Sequence, residues 1–249
     1  RADLYDQIGA ALGLQWQRDA TLAWPRDSAQ AAAPGDPALL RELLAPLPVP
    51  YYLVPGNHDD REGLRAAFPD HVYLRQSEVF VQYTIEDHPL RLVALDTLVP
   101  GEGRGELCDA RLAWLEARLA ERPQQPTLVL MHHPPFDTLI GHMDRQGLSG
   151  IGALAAVIRR HPQVERLLCG HLHRPIEARF AGTIACTAPS PAHQVVLDLD
   201  ADARSQFVME PPGYRIHAYT PGSGVVSHTA FVGAFAGPYP FYENGALID

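Results

Sequence analysis

Three apolar runs each end in a histidine-bearing turn, and this recurrence constrains the chain more than any other feature. Residues 49–54 lead into Pro55-Gly56-Asn57-His58-Asp59, Thr127–Met131 into His132-His133-Pro134-Pro135, and Val164–Cys169 into Gly170-His171-Leu172-His173. Short apolar runs rich in β-branched residues read as strands buried on both faces. The C-terminal edge of such strands is where ligand sites assemble in open α/β sheets. Each turn alone has a plain structural use: Gly and Asn tolerate positive φ, prolines stop a strand, and two histidines at a spacing of two can share a surface. Together, however, the turns bring five of the chain's 12 histidines to strand ends. Imidazoles, a carboxylate and a neutral amide oxygen form a donor set suited to a borderline metal such as Zn, Mn or Fe.

Other segments place these strands in an α/β body. Further strands are expected at residues 90–95, Thr183–Thr187 and 194–199. Helical periodicity marks residues 37–47, Asp109–Glu121 with Asp109 as N-cap, and 150–160. Strand and helix alternate, which gives the α/β class. Beyond Asp198 the texture becomes that of antiparallel strands, at residues 206–210, 214–220 and 224–232, separated by Pro211-Pro212-Gly213 and Pro221-Gly222. We therefore expect a main domain over residues 1–205 and a C-terminal β extension over 206–249. Phe231, Phe235, Tyr239, Phe241 and Tyr242 crowd the end of that extension. So many rings are expected to pack on the core or on a partner subunit, most simply in a two-fold homodimer.

The formal charge of −9 argues against a surface for nucleic-acid polymers. It leaves a phosphate ester open as substrate, because bound divalent cations would reverse the local field. No apolar stretch reaches the ~20 residues of a membrane-spanning helix, and no basic segment followed by an apolar one marks a secretory signal. Cys108, Cys169 and Cys186 form no CxxC pair and suggest buried thiols in a reducing compartment, hence a cytoplasmic protein.

The three turns resemble the GNH(D/E), H-x-P and GHxH motifs of the calcineurin-like metallophosphoesterases, in the same order. Leu95-Asp96-Thr97, Gly141-His142-Met143-Asp144 and Thr187-Ala188-Pro189-Ser190 are similar to stretches of the class III cyclic-nucleotide phosphodiesterases within that superfamily. The resemblance implies a double β-sheet sandwich flanked by helices in four α/β/β/α layers, with two transition metal ions (Fe, Mn or Zn) bridged by an Asp and a water or hydroxide. Carried over by motif, Asn57, His132 and His171 would ligate one metal and His173 the other. His58 would face the phosphate as proton donor or as a cation stabilising the transition state. The implied activity is hydrolysis of a small-molecule phosphodiester, with 3′,5′-cyclic nucleotides such as cAMP as the leading expectation. A broad phosphodiesterase or phosphomonoesterase is one alternative, and a catalytically impaired metal- or nucleotide-binding relative is another.

The chain departs from this pattern at its start. The family opens with Asp-x-His on its first strand, whereas this sequence has no histidine before His58. The second motif is also degraded. Counting back from the helix at Leu40-Arg41 by the family's usual spacing puts the bridging carboxylate on Asp27, beside Arg26 where the family has Gly. Two expectations follow: the chain is a fragment or variant lacking the N-terminal strand, or it is intact and the metal site served by His173 has lost two ligands.

Overall fold

The computed structural model describes residues 36–243 and 246–247. Asp27 and the rest of the first 35 residues lie outside the described region. A six-stranded sheet organises the chain. Its strands are β1 (Tyr83–Ile85), β2 (Arg91–Leu95), β4 (Thr127–Met131), β6 (Val164–Cys169), β8 (Thr183–Thr187) and β7 (Glu177–Phe180), in that spatial order. A small parallel pair, β3 (Gly105–Glu106) and β5 (Leu148–Ser149), lies outside it. The four central strands run parallel, and β1 and β7 close the edges antiparallel. Leu95 pairs with Met131, Met131 with Cys169, and Cys169 with Thr187. The four central strands thus end on one line, and whatever follows each of them in sequence is delivered to one edge.

Helices α3 (Asp109–Glu121) and α5 (Ile151–Arg160) cover one face. Leu112, Leu115 and Leu119 of α3 and Leu154, Val157 and Ile158 of α5 form a single core with Val93, Val129 and Leu167 of the sheet. The other face receives a long hairpin, β11 (Gly213–Thr220) and β12 (Gly224–Phe231), through Val225 and Tyr219 on Leu90, Leu128, Leu130 and Leu168. Arg166 donates to the Val225 carbonyl, and Arg215 to the Thr187 carbonyl, so the hairpin is also hydrogen-bonded to the sheet. The expected α/β class with flanking helices and small C-terminal antiparallel sheets is observed. No helix among the described residues is long and apolar enough to cross a membrane.

Several expected elements change. Residues 49–54 form no strand, and tyrosine hydroxyls take three of their backbone groups. The Leu53 N–H donates to Tyr73, and Tyr83 and Tyr73 donate to the Leu53 and Tyr51 carbonyls. Helix α1 (Pro37–Leu44) stops short of residue 47: Ala45 is still helical, but Pro46 has no N–H with which to continue the ladder. Cys108, not Asp109, occupies the N-cap of α3, and Asp109 sits in the first turn, where a carboxylate favours the helix dipole. Helix α5 begins at Ile151, with Gly150 as its cap at φ 88°. Residues 194–199 shorten to β9 (Gln194–Val195) and 206–210 to β10 (Phe207–Val208), and these two pair with each other.

Helix α2 (Arg61–Ala67) was not anticipated. Its first residue donates through Nε and Nη2 to both oxygens of Asp96, at 2.7 and 2.9 Å, and through Nη2 to the Leu98 carbonyl. Asp96 is fully buried and also accepts from the Val81 and Leu98 amides. Every lone pair of the carboxylate is engaged, which is the condition under which a buried ion pair is retained. Asp96→Ala would leave the Arg61 guanidinium and two amides without their acceptor. We expect a stability loss of about 3–5 kcal/mol in urea denaturation; a loss below about 1 kcal/mol would show that the pair contributes little.

Candidate metal centre

The turn after the extended segment is built from its own residues. Asp59 N–H donates to the Gly56 carbonyl, and Gly56 N–H donates to Asp59 Oδ2 at 2.7 Å. Asp60 caps α2 by accepting from Gly63, and Arg61 is held on Asp96. Asn57 is therefore fixed between a closed turn and an anchored helix. Glycine at position 56 is required by space: a Cβ there would lie 2.8 Å from His132 Cε1. A Cβ on Gly105 would come within 2.4 Å of His133 Nδ1. Backbone thus lies directly against two imidazoles.

Three donor atoms from three turns converge. His132 Nε2 lies 2.9 Å from Asn57 Oδ1 and 3.2 Å from His171 Nδ1. His171 reaches this point with φ 67°, and His173 follows at φ 50°, conformations that non-glycine residues hold only when their surroundings impose them. His133 has its ligand atom within 4.8 Å of those of His132 and His171. Both its nitrogens are nevertheless committed, Nδ1 to the Thr97 hydroxyl at 2.8 Å and Nε2–H to the Gly103 carbonyl at 3.1 Å. With no lone pair left over, it supports the cluster as a wall.

Burial sets the electrostatics. It pushes His132 well below the usual imidazole pKa and holds His171 at about 4, with the neighbouring histidines adding repulsion. The Gln146 carbonyl offsets part of the shift at His171 without hydrogen-bonding geometry, so His171 Nε2 stays buried with no partner. His173 is likewise lowered to about 4 by burial and by His193, whose ring centroid is 4.8 Å away, and its Nδ1 has no partner. Facing neutral Lewis bases with too few protons between them cost free energy unless a cation satisfies them. The donor set fits a borderline transition metal.

The structure brings Asn57, His132 and His171 together. It does not place His173 in that group; His173 packs against His193, which in turn meets Phe207. His58 is exposed beside Asn57, in a cleft of about 450 Å³. Asp27, the expected bridging carboxylate, lies outside the described residues. Sequence reasoning missed His193, although Thr187-Ala188-Pro189-Ser190 just ahead of it had been singled out. It also missed the pairing of Thr97 with His133.

Comparison with known proteins identifies the family. A model of the calcineurin-like phosphoesterases matches residues 30–175. The chain belongs to that family. It is 42% identical over 213 residues to the probable glycerophosphodiester phosphodiesterase GpdQ of Arcobacter nitrofigilis, covering 85% of this chain and 78% of that protein. It is 32% identical over 247 residues to GpdQ of Enterobacter lignolyticus, covering 98% and 86%. Identity to the 3′,5′-cyclic adenosine monophosphate phosphodiesterase CpdA of Escherichia coli is also 32%, over 153 residues, 61% of this chain and 54% of that one. In fold it is similar to a dimetal phosphatase from Danio rerio, with a TM-score of 0.55 at 17% identity and coverage of 92% and 89%. The expected enzyme class, a phosphoric diester hydrolase of the metallophosphoesterase kind, stands, and the family works with a dinuclear metal centre.

The depressed imidazole pKa values make a testable statement about pH. Each group is neutral when folded down to about pH 4 but titrates near 6.5 when unfolded. Their contribution to stability is thus intact above about pH 6.5 and is lost as pH falls towards 4. Metal binding needs the same neutral form. Reconstituted metal should be retained on dialysis from about pH 8 to 5.5 and released towards pH 4. Release centred at 6.5 would show that the imidazoles are not buried as described.

Proposed function

We propose that the chain hydrolyses small-molecule phosphodiesters at a dinuclear metal centre, with glycerophosphodiesters as the leading class and 3′,5′-cyclic nucleotides as the second. The convergence of Asn57 Oδ1, His132 Nε2 and His171 Nδ1 beside a cleft that carries His58 supports the reading most directly. The 42% identity to a probable glycerophosphodiester phosphodiesterase over most of both chains favours the first class. The shorter match to CpdA, and the motif stretches shared with cyclic-nucleotide phosphodiesterases, favour the second. A net charge of −9 suits a small substrate better than a nucleic-acid polymer. Free cysteines at 108, 169 and 186 accord with a cytoplasmic location.

In this reading Asn57, His132 and His171 would hold one metal of the Fe, Mn or Zn type and His173 would serve the other, while the carboxylate expected at Asp27 lies outside the described residues. Bound cations would acidify a water and neutralise charge on the attacking and leaving oxygens. Asn57 turns inwards through its amide oxygen, while His58, the next residue, stands in the open cleft. The His58 imidazole is placed to give a proton to the departing alkoxide, or to offset its charge while protonated. Phe231, Phe235, Tyr239, Phe241 and Tyr242 are more than half exposed on the single chain, which supports a homodimer that covers them.

Metal content and turnover separate the roles. His171→Ala should lose metal and activity together. His58→Ala should keep its metal and lose about 10²–10⁴ in rate on a glycerophosphodiester, with a smaller loss on an aryl diester whose leaving group needs little protonation. Full activity of His58→Ala on both substrates would overturn its role. A metal-loaded parent that turned over neither would overturn the function.

A further inference from the structure

Two clefts open beside the histidine cluster, one at Asn57 and the other at His171. One, of about 450 Å³, is bounded by Asn57, His58, Asp60, Glu102, Gly103 and Gln146. The other, of about 260 Å³, opens at His171 and is lined by Arg104, Asp137, Asp144 and Arg145 as well as by Phe136 and Ile151. A phosphodiester with its phosphorus at the cluster must send its two ester arms in different directions. Because His58 stands in the first cleft, the arm that leaves as an alcohol lies there.

The polar groups of that cleft are mostly committed. Asp59 accepts from Gly56, Asp60 from Gly63, and Glu102 is paired with Arg104. Gln146 is the exception: its carboxamide makes no hydrogen bond to another described residue. The amide lies against Gly103, where a Cβ would come within 2.3 Å of Gln146 Oε1. The Gly103 φ lies outside the left-handed region, so space alone requires glycine there. Gly103 itself is fixed, its carbonyl accepting from His133 Nε2. The amide thus lines the same cleft as His58 with donors and an acceptor unspent.

We infer that Gln146 is a specificity-determining residue: its carboxamide hydrogen-bonds a further hydroxyl on the leaving alcohol, so the enzyme favours polyhydroxy over simple alkyl leaving arms. This deepens the function proposed above and rests on it. A neutral amide that can donate and accept matches a hydroxyl, which does both, and a half-exposed bond of this kind discriminates by about tenfold.

The test compares methyl 2,3-dihydroxypropyl phosphate with methyl propyl phosphate on metal-loaded enzyme, following released glycerol and propanol. The readout is the ratio of the two kcat/KM values. The parent should favour the dihydroxypropyl ester beyond the ratio set by leaving-group acidity alone, as measured with the free metal ion. Gln146→Met, close in size but unable to hydrogen-bond, should lower the ratio about tenfold with metal content unchanged. Gly103→Ala, which displaces the amide without removing it, should lower it in the same direction. The inference is overturned by a parent that does not discriminate, or by a ratio within twofold of the parent's in whichever of the two variants folds and binds metal. A parent that releases neither alcohol removes the proposed function, and this inference with it.

Discussion

The register of the parallel strands governs everything at the site. Because Leu95, Met131, Cys169 and Thr187 are paired in a row, Asp96, His132 and Gly170-His171 emerge side by side at one edge. A slip of one residue in any pair would turn a histidine to the other face of the sheet. Asp96, the first residue past β2, then acts on a segment that the sheet does not contain. Its carboxylate holds Arg61, Arg61 begins α2, and α2 together with the Gly56–Asp59 turn fixes Asn57. One buried ion pair thus transmits the order of the sheet to the third donor of the cluster.

That arrangement opposes local stability. Three imidazoles are buried close enough to disfavour one another's protonation, two nitrogens lack partners, and His171 and His173 sit in left-handed backbone. Each feature costs free energy in a protein selected for stability alone. Glycines at 56 and 105 make the site more compact by letting main chain touch the rings. Such conflicts between local preference and global fold gather where chemistry is done. The core face of the sheet is different: Val93, Val129 and Leu167 are fully buried there under Leu-rich helices.

How far the sequence discloses this depends on where the determining partners lie. Strands β4, β6 and β8 and helix α3 fall on the expected residues, because their apolar pattern is set by burial in one core. Residues 49–54 carry the same apolar signal, yet Tyr73 and Tyr83 bond three of their backbone groups from 20 or more residues away, which no local pattern reports. Helix α2 has Leu64 as its one fully buried aliphatic residue and is anchored by Arg61 through a tertiary contact, so its periodicity is faint. In the site, Asn57, His132 and His171 were readable from their strand-end motifs. His193 was not, because its partner His173 is a neighbour only in space.

The difference between neighbouring residues in each turn follows from backbone geometry. Past the end of β4 successive side chains still project to opposite sides, and the Gly56–Asp59 turn, which follows no strand, separates Asn57 from His58 as well. His132 therefore faces Asn57 and His171, while His133 turns to Thr97 and Gly103 and spends both nitrogens there. Asn57 faces the cluster, and His58 faces the open cleft. Each His-His or Asn-His pair thus divides into a donor for the centre and a residue with another task. The division is decided by what lies on the second side. Protein packed there, as around His133, makes the second residue a support; solvent and space there, as around His58, leave it free to meet a substrate.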